Sequence, residues 1–342
     1  MQCNMMDYIL EQAQSLLAIK SPTGYTKEAA DYLFTTLTEM GYQPKRTAKN
    51  SIVVCLGGEG NPILLTAHVD TLGAIVREVK ANGRLSLSPI GGLVPNNVDS
   101  ENCTVITRFS GSYCGTFQMN DPSSHVNLKL KEQPRDFDTM EVVLDEKVYS
   151  KEETEALGVS AGDFVAFDPR TVLTESGYLK SRFIDDKGCS AILLAYAKHL
   201  KDTGTLPGRK VYLHFTVYEE TGHGAAAGVP DDVQEILSLD MGCVGIGLGA
   251  NECKVSICAK DSRGPYDYDM TTALIKTAKD NGLDYAVDIY PGYGSDADAA
   301  LSAGHDLRHA LIGPGVYASH GYERTHEDGL ANTYLLLKAY LG

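Results

Sequence analysis

The sequence predicts an α/β protein with a mixed, mainly parallel sheet flanked by helices and an inserted small β-barrel-like domain. Strand-like apolar runs alternate with helix-like segments at both ends of the chain, as in sheets covered by helices on both faces. Between residues 73 and 174, short alternating stretches broken by Gly, Pro and Asn indicate antiparallel β-structure instead. The length of 342 residues also exceeds what one hydrophobic core usually serves. We therefore expect residues 1–72 and 175–342 to form one discontinuous domain around an insertion at 73–174.

The first segment predicts two helices and two strands. Apolar residues at positions 9, 10, 13, 16 and 17 have the spacing of an amphipathic helix. A Ser-Pro-Thr-Gly turn at 21–24 ends it, and Thr26 is expected to cap a second helix over 27–40 that Gly41 ends. Strands are expected over 51–56 and 63–67.

After Lys180 the alternation of strands and helices returns. Strands are expected over 210–218, 235–239, 252–258 and 285–289 and near Ala310. Helices are expected over 187–200, 271–280, 295–303 and 327–341, and one more over 147–157 within the insertion. Ser295 with Asp298 three residues later fits a helix capping box, and Asp296 is a candidate for the substrate pocket.

Composition excludes several classes of function. Hydrophobic residues make up 43% and charged residues 22%, which is ordinary for a folded protein, and the net charge of −15 opposes binding to nucleic acid and to anionic membranes. No apolar run approaches the ~18 residues that span a bilayer, and the N-terminal segment does not resemble a secretion signal, so a cytoplasmic protein is expected. The eight cysteines form no C-x-x-C pair and indicate reduced thiols, with Cys253 and Cys258 on opposite faces of a strand.

Acidic and imidazole side chains follow several of the predicted strands. Ligands of such sheets gather outside the carboxyl ends of the strands. The groups in question are His68-Val69-Asp70 after the strand at 63–67, Glu219-Glu220 after 210–218, Asp240 after 235–239, Asp185-Asp186 before a helix, and His320 after the strand near Ala310.

Each group has a structural and a functional interpretation. Residues two apart on an extended chain share a face, so Asp70 could orient a metal-bound His68, or both could be surface residues at a strand end. Of the adjacent Glu219 and Glu220, one could bind a metal while the other acts as general base, or the pair could be a solvated turn. Asp185 could bridge two cations or cap a helix.

Taken together, the groups favour metal chemistry. Two imidazoles, at least four carboxylates and no cysteine form a nitrogen and oxygen ligand set that suits zinc, cobalt or manganese. Such a set fits two divalent ions ~3.5–4 Å apart that polarise a scissile carbonyl and activate water.

The chain resembles the glutamyl/deblocking aminopeptidases, a family of co-catalytic metallopeptidases that form tetrahedral assemblies. The resemblance spans almost the full length and rests on segments that occur in the family's order. They are Ser21-Pro22-Thr23-Gly24, His68-Val69-Asp70, Gly91-Gly92, Phe183-Ile184-Asp185-Asp186-Lys187, Glu219-Glu220, Asp240 and Gly294-Ser295-Asp296-Ala297.

The resemblance implies a role for each matching residue. His68 and Asp240 would hold one metal ion, Glu220 and His320 the other, and Asp185 would bridge the two. Glu219 would be the general base and Asp70 would orient His68. The insertion would be an oligomerisation domain, and a tetrahedral homo-dodecamer would admit free peptides as substrates.

The sequence departs from the family pattern at three places. The loop after Glu220 is shorter and carries an additional imidazole, His223. The Pro-Thr-Arg-Tyr-type strand before the last ligand is replaced by a Gly-Pro-Gly run, and the Arg before that ligand is missing. His320 is the expected ligand because Glu323 then falls near the family's following acid, and His326 is the alternative.

These observations predict a metal-dependent aminopeptidase that removes N-terminal residues from oligopeptides. A metallo-deacylase acting on N-acyl amino acids is one alternative, and a shell subunit without catalytic activity is another. A glycosidase using paired carboxylates is a third, although it would need two carboxyl groups ~5 Å apart that face one sugar bond.

Overall fold

The computed structural model describes residues 5–342, and this part of the chain forms two compact units. One unit comprises the chain up to Asp70 together with Arg170–Gly342, and the other is Thr71–Pro169. The first contains a mixed sheet with helices, and the second contains a closed antiparallel barrel. The predicted fold class is confirmed.

Seven helices are described. They are α1 (Met5–Ala18), α2 (Lys27–Glu39), α3 (Lys151–Ala156), α4 (Ile184–Thr203), α5 (Tyr268–Asp280), α6 (Asp296–Ser302) and α7 (Glu327–Leu341). Two short 3₁₀ segments, Pro95–Val98 and Glu219–Thr221, accompany them.

Eighteen strands are described, of which six form the barrel. The strands of the larger unit are β1 (Lys45–Arg46), β2 (Ile52–Gly57), β3 (Ile63–His68), β10 (Val172–Leu173), β11 (Tyr178–Ser181), β12 (Val211–Thr216), β13 (Glu235–Leu239), β14 (Gly242–Val244), β15 (Val255–Lys260), β16 (Tyr285–Ile289), β17 (Arg308–Tyr317) and β18 (Glu323–His326). The barrel strands are β4 (Gly73–Val79), β5 (Leu85–Ile90), β6 (Glu101–Ile106), β7 (Ser112–Met119), β8 (Met140–Leu144) and β9 (Phe164–Phe167).

Four parallel neighbours form the centre of the large sheet. The strand order is β1-β2-β12-β3-β13-β17-β18-β11-β10, and β12, β3, β13 and β17 pair in parallel. Thr216 lies opposite His68, and Leu239 lies opposite Ile312. The carboxyl ends of these four strands therefore meet at one edge of the sheet, where ligands of α/β sheets gather.

The central strands have mostly apolar sequences because both of their faces are buried. Every residue of β3 is buried, as expected for a strand covered on both faces. Ala297 and Ala300 of α6 pack with Leu64, Ile236 and Leu311 on one face of the sheet. Helix α4 also contacts β3, and α1 and α7 pack against α4. The sheet is thus a rigid platform whose edge can hold side chains in place.

The barrel closes in the strand order β4-β5-β8-β7-β6-β9. Most of its buried side chains are apolar, and the rings of Phe117 and Phe167 meet edge to face with centroids 5.7 Å apart. The short helix α3 begins at Ser150, whose hydroxyl oxygen accepts a hydrogen bond from the Glu153 N–H.

Two local predictions are wrong, and a third, for a helix, holds over a shorter range. Thr26 makes no side-chain capping bond, because its backbone (φ −114°, ψ 5°) is not in the extended conformation of most N-cap residues. Cys253 lies before β15 rather than inside a strand, because the Asn251 side chain accepts its N–H and turns the chain there. The helix expected over 147–157 is limited to Lys151–Ala156.

The capping box at the start of α6, formed by Ser295 and Asp298, is confirmed. Within residues 5–342, no helix combines the length and apolar character needed to cross a bilayer.

Candidate active site

Side chains from the four parallel strands and from α4 meet at the carboxyl edge of the sheet. His68 ends β3, Glu219 and Glu220 follow β12, and Asp240 follows β13. His320 follows β17, and Asp185 lies in the first turn of α4. A cavity of about 350 Å³ opens here, and its wall includes Asp185, Glu219, Glu220, Asp240 and His320.

Asp185 lies between the two histidines. Its Oδ1 is 3.0 Å from His68 Nε2, and its Oδ2 is 3.6 Å from His320 Nε2. Glu220 Oε2 is also 3.6 Å from His320 Nε2. Donor atoms of His68, Asp185 and Asp240 all lie within 4.8 Å of one another. The site therefore contains two groups of potential metal-ligand atoms, one around His68 and one around His320, and Asp185 belongs to both.

Asp70 contacts His68 through its main chain. His68 Nδ1 is 2.9 Å from the Asp70 carbonyl oxygen and 3.7 Å from its carboxylate Oδ1. The carboxylate instead accepts the Thr23 hydroxyl at 2.6 Å and the Glu219 N–H at 3.2 Å. Asp70 thus fixes the His68 ring with its backbone and the Glu219 backbone with its side chain.

Glu323 and Asp186 fix the backbone of the site by accepting hydrogen bonds from main-chain N–H groups. Glu323 accepts the His320 N–H at 2.9 Å and the Asp185 N–H at 3.1 Å. Asp186 accepts the His68 N–H at 3.2 Å. From the sequence, Glu323 is expected only as the acid that follows the last ligand in the family, and its two backbone hydrogen bonds appear only in the structure.

The backbone reaches the site through left-handed conformations at non-glycine residues. Phe183, Tyr218 and His320 have φ values of 70°, 68° and 61°. Such conformations are uncommon outside glycine and cluster at functional sites, where the surrounding structure maintains them. Tyr218 immediately precedes Glu219, so this conformation sets the direction in which the glutamate leaves the strand.

The loop after Glu220 is fixed from two sides. Asp296 accepts the Thr216 hydroxyl at 2.6 Å and the Ala225 N–H at 2.8 Å. Lys49 Nζ donates to the carbonyl oxygens of His223 and Gly224, the latter at 2.6 Å. From the sequence, Asp296 is a candidate for the substrate pocket, but it is buried and does not line the cavity. Its carboxylate instead fixes the loop after Glu220. Ser295 and Asp298 line the cavity in its place.

His326, the alternative to His320, lies elsewhere. It is the N-cap of α7, where its Nδ1 accepts the Asp328 N–H at 3.0 Å. Its Nε2 is 2.9 Å from the Ser176 carbonyl oxygen. Of the two histidines, the structure brings only His320 to Asp185 and Glu220.

Burial and crowding shift the pKa values of the site carboxyls. Burial, with the neighbouring Asp185, raises the pKa of Asp240 to about 8 and that of Glu220 well above its ordinary value. Burial also raises the pKa of Glu219, an effect that His68 opposes. Asp185 differs, because its hydrogen bond and charge interaction with His68 outweigh burial and lower its pKa.

His68 balances part of this negative charge. Burial alone would lower its pKa, but the hydrogen bond to Asp185 and the charge of Glu219 raise it well above 6.5. The cluster nevertheless has more buried carboxylates than cationic partners. A divalent cation would supply the missing charge, and imidazole nitrogens with carboxylate oxygens are the donors that zinc, cobalt and manganese accept. The residues present therefore fit a metal centre.

Sequence comparisons agree with this class of site. The family model of the M42 glutamyl aminopeptidases matches residues 50–336. A Bacillus subtilis (strain 168) protein named "Putative aminopeptidase YhfE" is 41% identical over 334 residues, which cover 97% of this chain and 96% of that protein. These matches define a peptidase, and hence a hydrolase. The chain belongs to the M42 glutamyl aminopeptidase family, which confirms the resemblance noted in the sequence.

Solved structures show the same fold. An aminopeptidase from the archaeon Desulfurococcus kamchatkensis superposes with a TM-score of 0.86 at 20% identity, covering 98% of this chain and 95% of that one. The Pyrococcus horikoshii TET1 peptidase, described as assembling into a tetrahedron or a large octahedral shell, has a TM-score of 0.85 at 23% identity and covers 97% and 99%.

Proposed function

We propose that this aminopeptidase is metal-dependent and removes N-terminal residues from oligopeptides with two divalent ions per chain. The observation that carries the proposal is Asp185, whose two carboxylate oxygens each face a different histidine. A carboxylate with one imidazole on each side has the arrangement that a bridging ligand of two ions requires.

The donor sets follow from the distances. His68, Asp185 and Asp240 would hold one ion, and Asp185, Glu220 and His320 the other. When bound, the two ions supply positive charge at the scissile carbonyl and acidify the attacking water. Zinc, cobalt and manganese all accept this nitrogen and oxygen donor set.

Glu219 is proposed as the general base. Its Oε2 lies 3.6 Å from His68 Nε2, and its backbone is fixed by Asp70. Burial raises its pKa, which brings a carboxylate closer to the neutral range where a base can accept a proton and later release it. Glu219 would take the proton of the attacking water at a carboxylate oxygen and deliver it to the leaving amine.

Asp70 is proposed as a positioning residue. Its carbonyl oxygen accepts from His68 Nδ1, which leaves Nε2 directed at Asp185. Its carboxylate accepts the Thr23 hydroxyl and also the N–H of Glu219, and so fixes the backbone of Glu219. One residue thus sets the geometry of an imidazole donor and of the proposed base.

Membership of the M42 glutamyl aminopeptidase family favours a peptide with a free N-terminus over an N-acyl amino acid as the substrate. Glu220 and Asp240 are proposed metal ligands, so bound ions would neutralise their charge. The rest of the cavity wall carries both an acid, Asp298, and a base, Arg263. Family membership is therefore the observation that separates the two activities.

Metal removal and a substrate panel test the proposal. Dialysis against a chelator should abolish hydrolysis of aminoacyl chromogenic substrates and of short peptides, and zinc, cobalt or manganese should restore it as at least two ions per chain return. Peptides with an acetylated N-terminus should be poor substrates. Undiminished activity with less than one ion per chain would contradict metal dependence, and faster cleavage of N-acyl amino acids would favour the deacylase.

We further propose that the unit Thr71–Pro169 is an oligomerisation domain and that the chain forms a tetrahedral dodecamer. Large apolar side chains of this unit are exposed, with Phe109 at 97% and Leu128 at 90% of full exposure. Singly exposed apolar residues are common on any protein surface, so the main support is the solved structure of the same fold from the TET1 peptidase, which is described as assembling into a tetrahedron. A mass near twelve times the 36.9 kDa chain would support the dodecamer, and a monomer at micromolar concentration would contradict it.

A further inference from the structure

We propose that Cys253, His326 and Asp328 form an additional cation site, separate from the active site, that binds a thiophilic divalent ion such as Zn²⁺. The three residues lie where the segment before β15 meets the start of α7. One donor atom from each, a thiol sulfur, an imidazole nitrogen and a carboxylate oxygen, lies within 4.8 Å of the other two.

The spacing of two donors already matches a bound ion. His326 Nδ1 lies 3.2 Å from Asp328 Oδ2. Ligands ~2.0–2.2 Å from a tetrahedral zinc lie at about this distance from each other. The Cys253 sulfur completes a set of three different ligand types, which leaves the fourth position for water.

The His326 ring is oriented as metal-binding imidazoles usually are. Its Nε2 is 2.9 Å from the Ser176 carbonyl oxygen, so Nε2 carries the proton and donates it there. The ring edge packs against Tyr178, with centroids 4.8 Å apart. The unprotonated Nδ1 accepts the Asp328 N–H at 3.0 Å and lies 3.2 Å from Asp328 Oδ2, so its lone pair points toward Asp328. A bound ion would take that lone pair at the cost of one helix-capping hydrogen bond.

The backbone that carries Cys253 is held against α7. The Asn332 side chain donates to the Cys253 carbonyl oxygen at 3.0 Å, and the Asn251 side chain accepts the Cys253 N–H at the same distance. Gly329 allows close packing here, because a Cβ at that position would lie 2.3 Å from the Glu252 carbonyl oxygen. The thiol is therefore placed by fixed elements on both sides.

The surrounding charge favours a cation. The carboxylates of Asp328, Glu252 and Asp284 interact electrostatically with Cys253 and place negative charge around its sulfur. This charge attracts a divalent ion and offsets the partial positive charge of the α7 N-terminus. Glu327, in the first turn of α7, contributes to this offset.

The donor types select the ion. A thiolate with an imidazole suits zinc and its spectroscopic substitute Co²⁺, whereas magnesium and calcium prefer oxygen ligands alone. The proposed active-site donors include no sulfur. Because the Cys243 thiol lines the active-site cavity, the absorption that Cys253→Ser removes is what reports on the site of Cys253, and activity reports on the other site.

Cobalt titration of the full-length protein, stripped of metal, tests the inference. The wild type should develop near-ultraviolet absorption from sulfur-to-cobalt charge transfer, and Cys253→Ser should lose all of it. His326→Gln should weaken cobalt binding at this site by at least tenfold. By elemental analysis after zinc loading, Cys253→Ser should hold one zinc fewer per chain than the wild type, with an unchanged rate of peptide hydrolysis.

A matched control is Cys55→Ser, which removes an exposed thiol on β2 and should leave both the absorption and the zinc count intact. Absence of the charge-transfer band in the wild type, its persistence in Cys253→Ser, or equal zinc counts in the two proteins would overturn the inference. If instead the proposed active-site metals were wrong, peptide hydrolysis would survive chelation, which is a separate result.

Discussion

We predict that His214 makes the stability of the chain depend on pH. It lies in β12, is fully buried, and within residues 5–342 neither ring nitrogen has a hydrogen-bond partner. Burial, with a smaller contribution from the Lys49 charge, lowers its pKa from the ordinary 6.5 to about 3. His214→Leu replaces the ring with an apolar side chain of similar volume that does not titrate.

The sign follows from the protons bound in each state. The unfolded chain protonates this histidine as the pH falls through 6.5, while the folded chain leaves it neutral until about pH 3. Its contribution is therefore fully present above pH 6.5 and is lost as the pH falls toward 3. Each pH unit in this window costs about 1.4 kcal/mol, so roughly 2 kcal/mol of the free energy of unfolding is lost by pH 5.

Denaturant unfolding of wild type and His214→Leu at pH 7.5 and pH 5.0 measures this contribution. Other titrating groups affect both proteins alike, so the wild type should lose about 2 kcal/mol more than the variant between the two conditions. The exposed His125 supplies a control, since His125→Gln should retain the pH dependence of the wild type. An equal loss in wild type and His214→Leu would refute the buried, neutral histidine.

Two further predictions concern residues that support the active site. Thr23→Val removes the 2.6 Å hydrogen bond to the Asp70 carboxylate and should lower kcat about 10-fold with little change in KM, whereas Thr23→Ser should keep most of the activity. Lys49→Met removes both hydrogen bonds to the loop carbonyls after Glu220 and should lower kcat ~10- to 100-fold, with substantial rescue in Lys49→Arg. Steady-state kinetics with melting curves check both, and a parallel loss of folded protein would mean that the effect is on folding rather than on positioning.

Much of the fold could be predicted because buried segments have recognisable patterns of apolar residues in the sequence. The run that became β3 is apolar before His68 except at Thr66, and the structure buries all of it. The capping box of Ser295 and Asp298 is likewise a local pattern that the structure confirms. The cap expected at Thr26 is wrong because a cap depends on the backbone conformation as well as on the residue type.

The convergence of the proposed site residues could also be anticipated in part, since groups that follow parallel strands meet at one edge. The contacts that support these residues could not be predicted from the sequence. Thr23 reaches Asp70 across 47 positions of sequence, and Lys49 reaches the loop after Glu220 across more than 170. Such pairs depend on how helices and turns pack onto the sheet, and no spacing along the chain encodes them.

The most direct test of the proposed mechanism is kcat for Glu219→Gln at a measured metal content. The change preserves the size of the side chain and removes only its ability to accept a proton. General-base catalysis contributes about 10²- to 10⁴-fold, so kcat should fall by that factor while the divalent metal content per chain stays equal to that of the wild type. A Glu219→Gln enzyme with full metal content and a kcat within a few-fold of the wild type would contradict the assignment of Glu219 as the base.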